Sequence, residues 1–554
     1  MTKQQLITPI TASSAALLAW PREQNPMAIH VFVSDPISEE GLAPLRQQAN
    51  FVVTVKPGLK GADLLREVAG CDALLVRSET KVTAEVIAAA KNLRFIGRAG
   101  TGVDNIDLGA ASRHGIVVAN VPGGNTISAA EQTLALLFAM ARNVPQADAS
   151  TRAGKWERSK FVGTEITGKT LGVLGLGRIG REVAVRGMGL AMRVVAYDPL
   201  GDESWCRRAG VTFVTLDDLL AQSDFITVHV PLTDQTRGLL NRETLAKTKK
   251  GVRIINCARG GIVDEKALIE SVEQGHVKGA ALDVFEKEPL DPASALMKHP
   301  EIILTPHLGA STEEAQVKVA AELSQSIVDF FQNGFARQAV NLPPLDVAGQ
   351  TQLLAFVGLA YKQGAFLAQI AEGEPVRLSL RYSGELGRVN PALYTATAAA
   401  GFLSGLGVAA TPVNALLLAQ QRGLQIQEQV HAEAKDYASL LEMEATTATG
   451  THQLAGTVYG RGDLRFVRID DLPVDVNPQG FLLVMTNEDR PGVVGHTGSV
   501  LSAAGINIAG MDIARNRPGG VAVSLWSVDS APSSEVLAKV KAFPSILSAK
   551  MVKI

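Results

Sequence analysis

The chain has 554 residues, 46% hydrophobic and 19% charged, a composition that gives a globular protein ample core and length for roughly three to four domains. Its formal net charge is −2, so no basic excess draws in nucleic acid or an anionic membrane surface. The three cysteines, Cys71, Cys206 and Cys257, share no metal-ligand spacing, and an odd, sparse set fits a reducing compartment such as the cytoplasm, without disulfides or a bound metal.

Residues 1–27 lack a basic segment followed by a long apolar core, so they read as a disordered extension rather than a signal peptide. No transmembrane helix is expected: the most apolar region, 391–420, is broken by glycines and Pro412. From residue 28 to about 125 short apolar runs (28–34, 51–53, 73–76, 95–97, 116–119) alternate with helix-like stretches, the rhythm of a parallel sheet. An apolar helix follows over 128–141. A second series of strands is predicted at 170–174, 194–197, 225–228, 252–255, 280–282 and 302–304, and the helix at 312–333 returns to the first unit. The fold class is therefore α/β, two interleaved doubly wound parallel-sheet domains with a crevice at the carboxyl ends of their strands.

Residues 341–345 (Asn-Leu-Pro-Pro-Leu) read as a linker. Beyond it an α+β intervening domain shows Ala-rich helical runs at 390–406 and 415–421 and a β-like segment at 451–469. A last unit, from about residue 480, reads strand (481–485), helix (493–504), strand (506–508), strand (522–526), helix (533–541), strand, the βαββαβ order of a ferredoxin-like fold. The expected limits are 1–27 for the extension, 28–127 with 313–342 for a substrate-binding domain, 128–312 for a Rossmann domain, 343–476 for the intervening domain and 477–554 for the last.

The strand at 170–174 runs at once into Gly175-Leu176-Gly177-Arg178-Ile179-Gly180, then a helix, then a strand ending on Asp198. A pyrophosphate needs bare backbone N–H groups at a helix start. Gly175 allows the tight turn, Gly177 the close approach, and Gly180 the packing of helix on strand. Asp198, 18 residues past Gly180, falls where a carboxylate can take both ribose hydroxyls. The four features together mark a dinucleotide site, which glycines alone would not.

Three polar residues follow later strands of the same unit: Arg259 in Asn256-Cys257-Ala258-Arg259-Gly260-Gly261, Glu288 ahead of Pro289, and His307 in Thr305-Pro306-His307-Leu308-Gly309-Ala310. Hydride transfer to or from a 2-hydroxy acid needs a cation for the substrate carboxylate, a group of near-neutral pKa for the hydroxyl proton, and a carboxylate to orient that group; Arg, His and Glu supply these types. A loop histidine alone is more often a solvated group, and Glu288, beside Glu286 and Lys287, also reads as a solvated turn. In the first unit, Arg77 ends one strand and Gly97-Arg98-Ala99-Gly100-Thr101-Gly102 follows the next. Arg77 and Arg98 would form a cationic patch suited to a phosphate, with Lys81 divided evenly between that patch and plain surface.

These motifs (76–81, 98–107, 120–131, 168–180, 256–265, 281–289, 306–312) closely resemble those of the D-2-hydroxyacid dehydrogenase family, and most of all its phosphoglycerate-oxidising branch. The resemblance implies NAD as cofactor and Arg259, Glu288 and His307 as catalytic. It implies cofactor contacts at Thr101, Gly175, Gly177, Arg178, Ile179, Gly180, Asp198, Val230, Cys257, Ala258, Asp283, Gly309 and Ala310, with substrate contacts at Arg77, Arg98, Gly100 and Gly102. Val230 stands where threonine is frequent in the family, and the backbone contact there is expected to survive. The implied reaction is oxidation of 3-phospho-D-glycerate to 3-phosphohydroxypyruvate, the first step of L-serine biosynthesis; a glyoxylate or hydroxypyruvate reductase and a non-catalytic NAD-sensing protein are the alternatives. The last unit resembles an ACT domain, which binds amino acids between paired copies. That implies serine as effector, contacts at Asn487, Asp489 and Asn507, and a homo-oligomer, expected to be a tetramer. The intervening domain resembles an allosteric substrate-binding domain, with Arg461, Arg465 and Arg468 as its basic residues.

Overall fold

A computed structural model describes residues 28–334, 336, 338–344, 351–434, 436–460 and 462–554. The predicted extension 1–27 and Arg461 lie outside the described residues. The first unit is a five-stranded parallel sheet in the order Phe51–Val55, Ile29–Val33, Ala73–Val76, Phe95–Arg98, Val117–Ala119. All four residues of Ala73–Val76 are buried, as expected for a parallel strand covered on both faces. The helix Glu313–Asn333 returns to this sheet and puts Val319, Leu323 and Ile327 into one core with Val31, Leu75 and Phe95. Gly97 makes this possible, since a Cβ there would come within 2.9 Å of Leu323 Cδ1.

The second sheet has seven parallel strands in the order Ile302–Leu304, Val277–Leu282, Val252–Asn256, Phe225–Val228, Thr170–Leu174, Arg193–Tyr197, Thr212–Phe213. The chain direction across the sheet reverses beside Thr170–Leu174, which is the switch point where ligands of doubly wound sheets bind. Its register fixes the site. Leu174 pairs with Tyr197 on one side and Val228 on the other, Val228 with Asn256, Asn256 with Leu282, and Leu282 with Leu304. Six strands thus end level, and the loops after them emerge along one edge.

The intervening domain is a six-stranded mixed sheet covered by the helices Thr351–Ile370 and Ala392–Gly405. Its Ala- and Gly-rich sequence serves close helix packing: a Cβ on Gly364 would collide with Ala398 O, and one on Gly401 with Tyr361 O. By length and composition Gln352–Ile370 could cross a membrane, but 78% of that stretch is buried inside the protein, as in a core helix. Sequence reading put the most apolar region farther on and missed this helix, together with the strands Pro375–Gly384, Gln425–His431 and Ser439–Thr447.

The last domain is a four-stranded antiparallel sheet, in the order Ile508–Arg515, Val521–Val528, Phe481–Glu488, Ile546–Lys553, with the helices Val493–Ala503 and Ser534–Lys541. Its second strand starts where the predicted 506–508 segment ends. The sheet shares a core with the intervening domain, Leu482, Val484, Leu525 and Val552 joining Phe356, Phe366 and Leu367.

Candidate active site

Gly175 has φ +98°, a conformation that suits glycine alone, and turns the chain out of the first strand of the seven-stranded sheet. A Cβ on Gly180 would collide with Gly175 O, so the helix Arg178–Gly189 lies tight on that turn. Nothing lies within 4 Å of a Cβ built on Gly177, and no side chain caps the helix that begins there. Free N–H groups at a helix start with open space before them fit a pyrophosphate. Asp198 stands just past the end of the next strand, where its carboxylate accepts from Leu176 N at 2.7 Å and Leu200 N at 2.8 Å and so fixes the glycine turn. Arg181 was not foreseen: its Nε donates to Leu176 O at 2.9 Å while its guanidinium stacks 4.8 Å from the Trp205 ring, bracing the turn from behind.

His307 Nδ1 lies 2.8 Å from Glu288 Oε2, and Glu288 Oε1 accepts from Phe285 N at 3.1 Å. Both side chains are partly exposed to the crevice. Burial raises the Glu288 pKa, but the hydrogen bond and charge of His307, the Phe285 N–H and the charge of Arg259 outweigh it, leaving the carboxyl below its ordinary value. The histidine is held from below. The fully buried Asp283 accepts from Thr305 Oγ1 at 2.6 Å, Leu308 N at 2.8 Å and Gly309 N at 2.8 Å. Sequence reading placed Asp283 at the cofactor; its two oxygens also anchor the loop that presents His307, which has φ +57°. A Cβ on Gly260 would collide with Phe285 O, so the arginine loop packs against the glutamate loop.

Arg259 reaches across to the first unit. Its Nε lies 3.4 Å from Asp104 Oδ2, its Nη1 donates to Ala258 O at 2.7 Å, and its Nη2 occupies the space beside Gly102 that a Cβ would fill. Arg98, which pairs with Val76 in register, sits close enough to feel Arg259 and Arg77. Burial above all, then those two cations, lower its pKa, while Asp104 and Asp35 oppose the shift. Arg77, Gly100 and Ala310 line a common pocket between the two units. Lys81 is exposed, and no contact ties it to the two arginines among the described residues.

The remaining predicted cofactor positions surround this edge. Thr101 Oγ1 donates to Asn125 Oδ1 at 2.7 Å, and Ala258 N to Asn256 Oδ1 at 3.0 Å. Ile179 lies in the first turn of the helix after Gly177, and Val230 is half-buried beside Gly175. Burial pushes the Cys257 thiol up to about 12, so it has no thiolate chemistry near neutral pH. Among the described residues no group of His, Cys, Asp and Glu could hold a metal ion.

The three predicted effector residues do not meet within one chain. Asn487 pairs with Ala522, which pairs with Arg515, whereas Ile508, next to Asn507, pairs with Val528 and so with Phe481 at the opposite end of the sheet. Asn487 is buried, accepting from Ser524 Oγ at 3.2 Å. Asp489 binds Arg515 Nη1 at 2.7 Å and Gly519 N at 3.0 Å, and Asn507 donates to Asp529 Oδ2 at 3.0 Å.

Residues 134–309 match the family described as D-isomer specific 2-hydroxyacid dehydrogenase, NAD binding domain, and residues 352–470 match the D-3-phosphoglycerate dehydrogenase intervening domain. The chain is 44% identical to the D-3-phosphoglycerate dehydrogenase of Archaeoglobus fulgidus, covering 95% of this chain and 100% of that one. It is 42% identical to the Synechocystis enzyme of the same name (95% and 94%) and 40% identical to that of Bacillus subtilis (94% and 99%). Among solved structures, TT0316 protein from Thermus thermophilus superposes with a TM-score of 0.51 at 36% identity, and D-lactate dehydrogenase from Escherichia coli with 0.52 at 26%; each covers 56% of this chain and 100% of its own. The chain belongs to the D-3-phosphoglycerate dehydrogenase family, within the D-isomer specific 2-hydroxyacid dehydrogenases.

Proposed function

We propose that this chain oxidises 3-phospho-D-glycerate to 3-phosphohydroxypyruvate with NAD, the first step of L-serine synthesis. The observation that carries the reading is the His307–Glu288 pair, 2.8 Å apart, beside an arginine that bridges both walls of the crevice. Gly175, Gly177, Arg178, Ile179 and Gly180 would hold the NAD pyrophosphate and Asp198 its ribose. Thr101, Val230, Cys257, Ala258, Asp283, Gly309 and Ala310 would enclose the rest. Bound NAD supplies a hydride acceptor for the substrate C2. Arg259 grips the substrate carboxylate and polarises the carbonyl as it forms. His307 donates its Nδ1–H to Glu288, which leaves Nε2 free to take the hydroxyl proton, and Glu288 stabilises the resulting cation. Arg77 and Arg98, with the Gly100 and Gly102 backbone, hold the phosphate.

We assign 28–127 with 313–342 to substrate binding, 128–312 to NAD, 343–476 to the intervening domain and 477–554 to an ACT domain that takes serine as effector. Pairing of two copies would supply Asn507 of one to Asn487 and Asp489 of the other, since one chain keeps them at opposite ends of its sheet. The edge strand Ile508–Arg515 is largely exposed, Met511 and Ile513 included. A second contact, through the arm 144–162, is supported by Trp156 at 80% and Val162 at 79% exposure and by the helix Val144–Arg152, which buries no residue; two such contacts make a tetramer. Three free cysteines accord with a cytoplasmic, reducing setting. The test is NADH formation from 3-phosphoglycerate with and without serine. Turnover excludes a purely NAD-sensing role, and a panel containing glycerate and glycolate separates the reading from a glyoxylate or hydroxypyruvate reductase.

A further inference from the structure

We propose that Asn105 is the positioning residue that sets Arg77 and Arg98 in one clamp and thereby gives the site its preference for a phosphorylated over an unphosphorylated acid; this rests on the function proposed above. The Asn105 side chain spends both donors and its acceptor on this task. Its Oδ1 accepts from Arg98 Nε at 3.0 Å, while Nδ2 donates to Arg77 O at 2.8 Å and Thr80 O at 2.6 Å. One amide therefore spans the loop that carries one arginine and the guanidinium of the other.

The pairing of the two strands would not achieve this. Val76 and Arg98 are partners in register, so if the strand simply continued, Arg77 would point to the face opposite Arg98. The chain instead turns after Val76. The buried Asp35 holds that turn by accepting from Arg77 N at 2.5 Å and Thr80 N at 3.1 Å, and Asn105 closes it from the other side. The main chain of Asn105 is itself fixed, since its carbonyl accepts from Val82 N at 2.8 Å in a bridge that joins Val82 to Ile106.

A neutral amide suits this place. Arg98 lies among two like charges, Arg259 and Arg77, and two carboxylates, Asp104 and Asp35, that already offset them. A carboxylate at 105 would pair with Arg98 and cancel the charge that an anionic ligand needs. The Asn105 carbonyl orients the guanidinium through Nε and leaves that charge intact. Among the described residues neither Nη of Arg98 has a protein acceptor, and Nη1 lies against Gly100, which lines the pocket shared with Arg77.

The experiment compares 3-phospho-D-glycerate with D-glycerate as substrates of the full-length chain and its Asn105→Ala and Asn105→Asp variants, each checked for folding by circular dichroism. If the wild type shows no preference for the phosphorylated acid, the functional reading itself fails. Given that preference, Asn105→Ala is expected to lower kcat/KM for the phosphorylated acid at least about tenfold, through KM, the scale of one lost hydrogen bond to a charged group. The value for D-glycerate and the KM for NAD should change less than about threefold on the same scale. Asn105→Asp should lose more of the preference than Asn105→Ala, because it also neutralises Arg98. Equal losses on both acids, or no loss on either, overturn the proposal. If Asn105→Ala does not fold, Asn105→Gln, which displaces the amide by one methylene, is judged by the same ratio.

Discussion

Gly102 and Arg259 come from different sheets, yet the Nη2 of Arg259 lies in the space where a Cβ on Gly102 would stand. That contact links the two units, and Asp104 Oδ2 borders the same space. Because both obstacles are the far ends of flexible side chains, Gly102→Ala is expected to fold. The added methyl would instead push Arg259 away from the place proposed for the substrate carboxylate. A displacement of about 1 Å costs on the order of a hundredfold in rate. The expected result is kcat/KM for the acid reduced about ten- to a hundredfold, with the melting temperature unchanged. Unaltered kinetics would mean that Arg259 does not need this seat.

Glu288 gives a pH prediction with a definite sign. Its carboxyl is below the ordinary range, because His307, Phe285 N–H and Arg259 together outweigh burial. Ionisation of Glu288 therefore stabilises the fold above about pH 4.3, the unfolded value, and the contribution is lost as pH falls through the lowered folded value. In the proposed reaction the same charge acts on catalysis. Glu288→Gln keeps an acceptor for Nδ1–H but removes the counter-charge for the imidazolium. The rising limb of kcat/KM for oxidation should move to lower pH, and the plateau should drop by about ten- to a hundredfold, part of what acid–base help is worth. A limb that stays in place would separate Glu288 from the proton transfer.

The nucleotide unit was legible because its strands are buried on both faces and read as nearly continuous apolar runs, such as Phe225–Val228 and Thr170–Leu174. Level strand ends then placed Arg259, Glu288 and His307 on one edge, which is why three residues far apart in the chain could be grouped from sequence. The strands of the intervening domain were less visible. Pro375–Gly384 and Ser439–Thr447 carry outward Arg381 and Glu442, which face each other across the pair, and no continuous apolar run announces them. The edge strand Ile508–Arg515 was misplaced because it buries little besides Ala514. Asn105, Asp35 and Arg181 were passed over for a different cause. Their value lies in hydrogen bonds to the backbone of other loops, and a polar residue near a glycine loop carries no sequence sign of such partners. A polar side chain just past a parallel strand, as at Asp35, would have been the one available signal.

Gly180 and Gly177, two of the three glycines of the phosphate turn, should behave in opposite ways. Gly180→Ala places a Cβ on Gly175 O, a backbone atom that cannot swing aside, so the helix must shift. Overpacking of this kind costs about 1–3 kcal/mol, and stability and NAD affinity should fall together. Gly177 has φ −65° and nothing within 4 Å of its Cβ, so Gly177→Ala should leave the melting temperature alone. Its methyl would project into the space required by the pyrophosphate, so the KM for NAD should rise while the KM for the acid stays. Thermal melts beside NAD titrations decide the matter; a stable Gly180→Ala enzyme with normal NAD affinity would contradict the packing argument.

His229, behind the same turn, should make the NAD domain acid-sensitive. Burial pushes its pKa from 6.5 down to about 3, and its Nε2 lies 2.9 Å from Thr227 Oγ1. Between those two values the unfolded chain binds a proton that the folded one refuses, so stability rises with pH across the window and is lost on acidification. At pH 5 the loss reaches about 2 kcal/mol at most, from 1.36 kcal/mol per unit, and less to the extent that water reaches the ring. His229→Gln keeps a polar partner for Thr227 without a titrating group. The denaturation transition that added NAD shifts identifies the relevant domain. Its midpoint should fall between pH 7 and pH 5 in the wild type and fall markedly less in His229→Gln. Equal falls in the two proteins would assign the acid sensitivity to other groups.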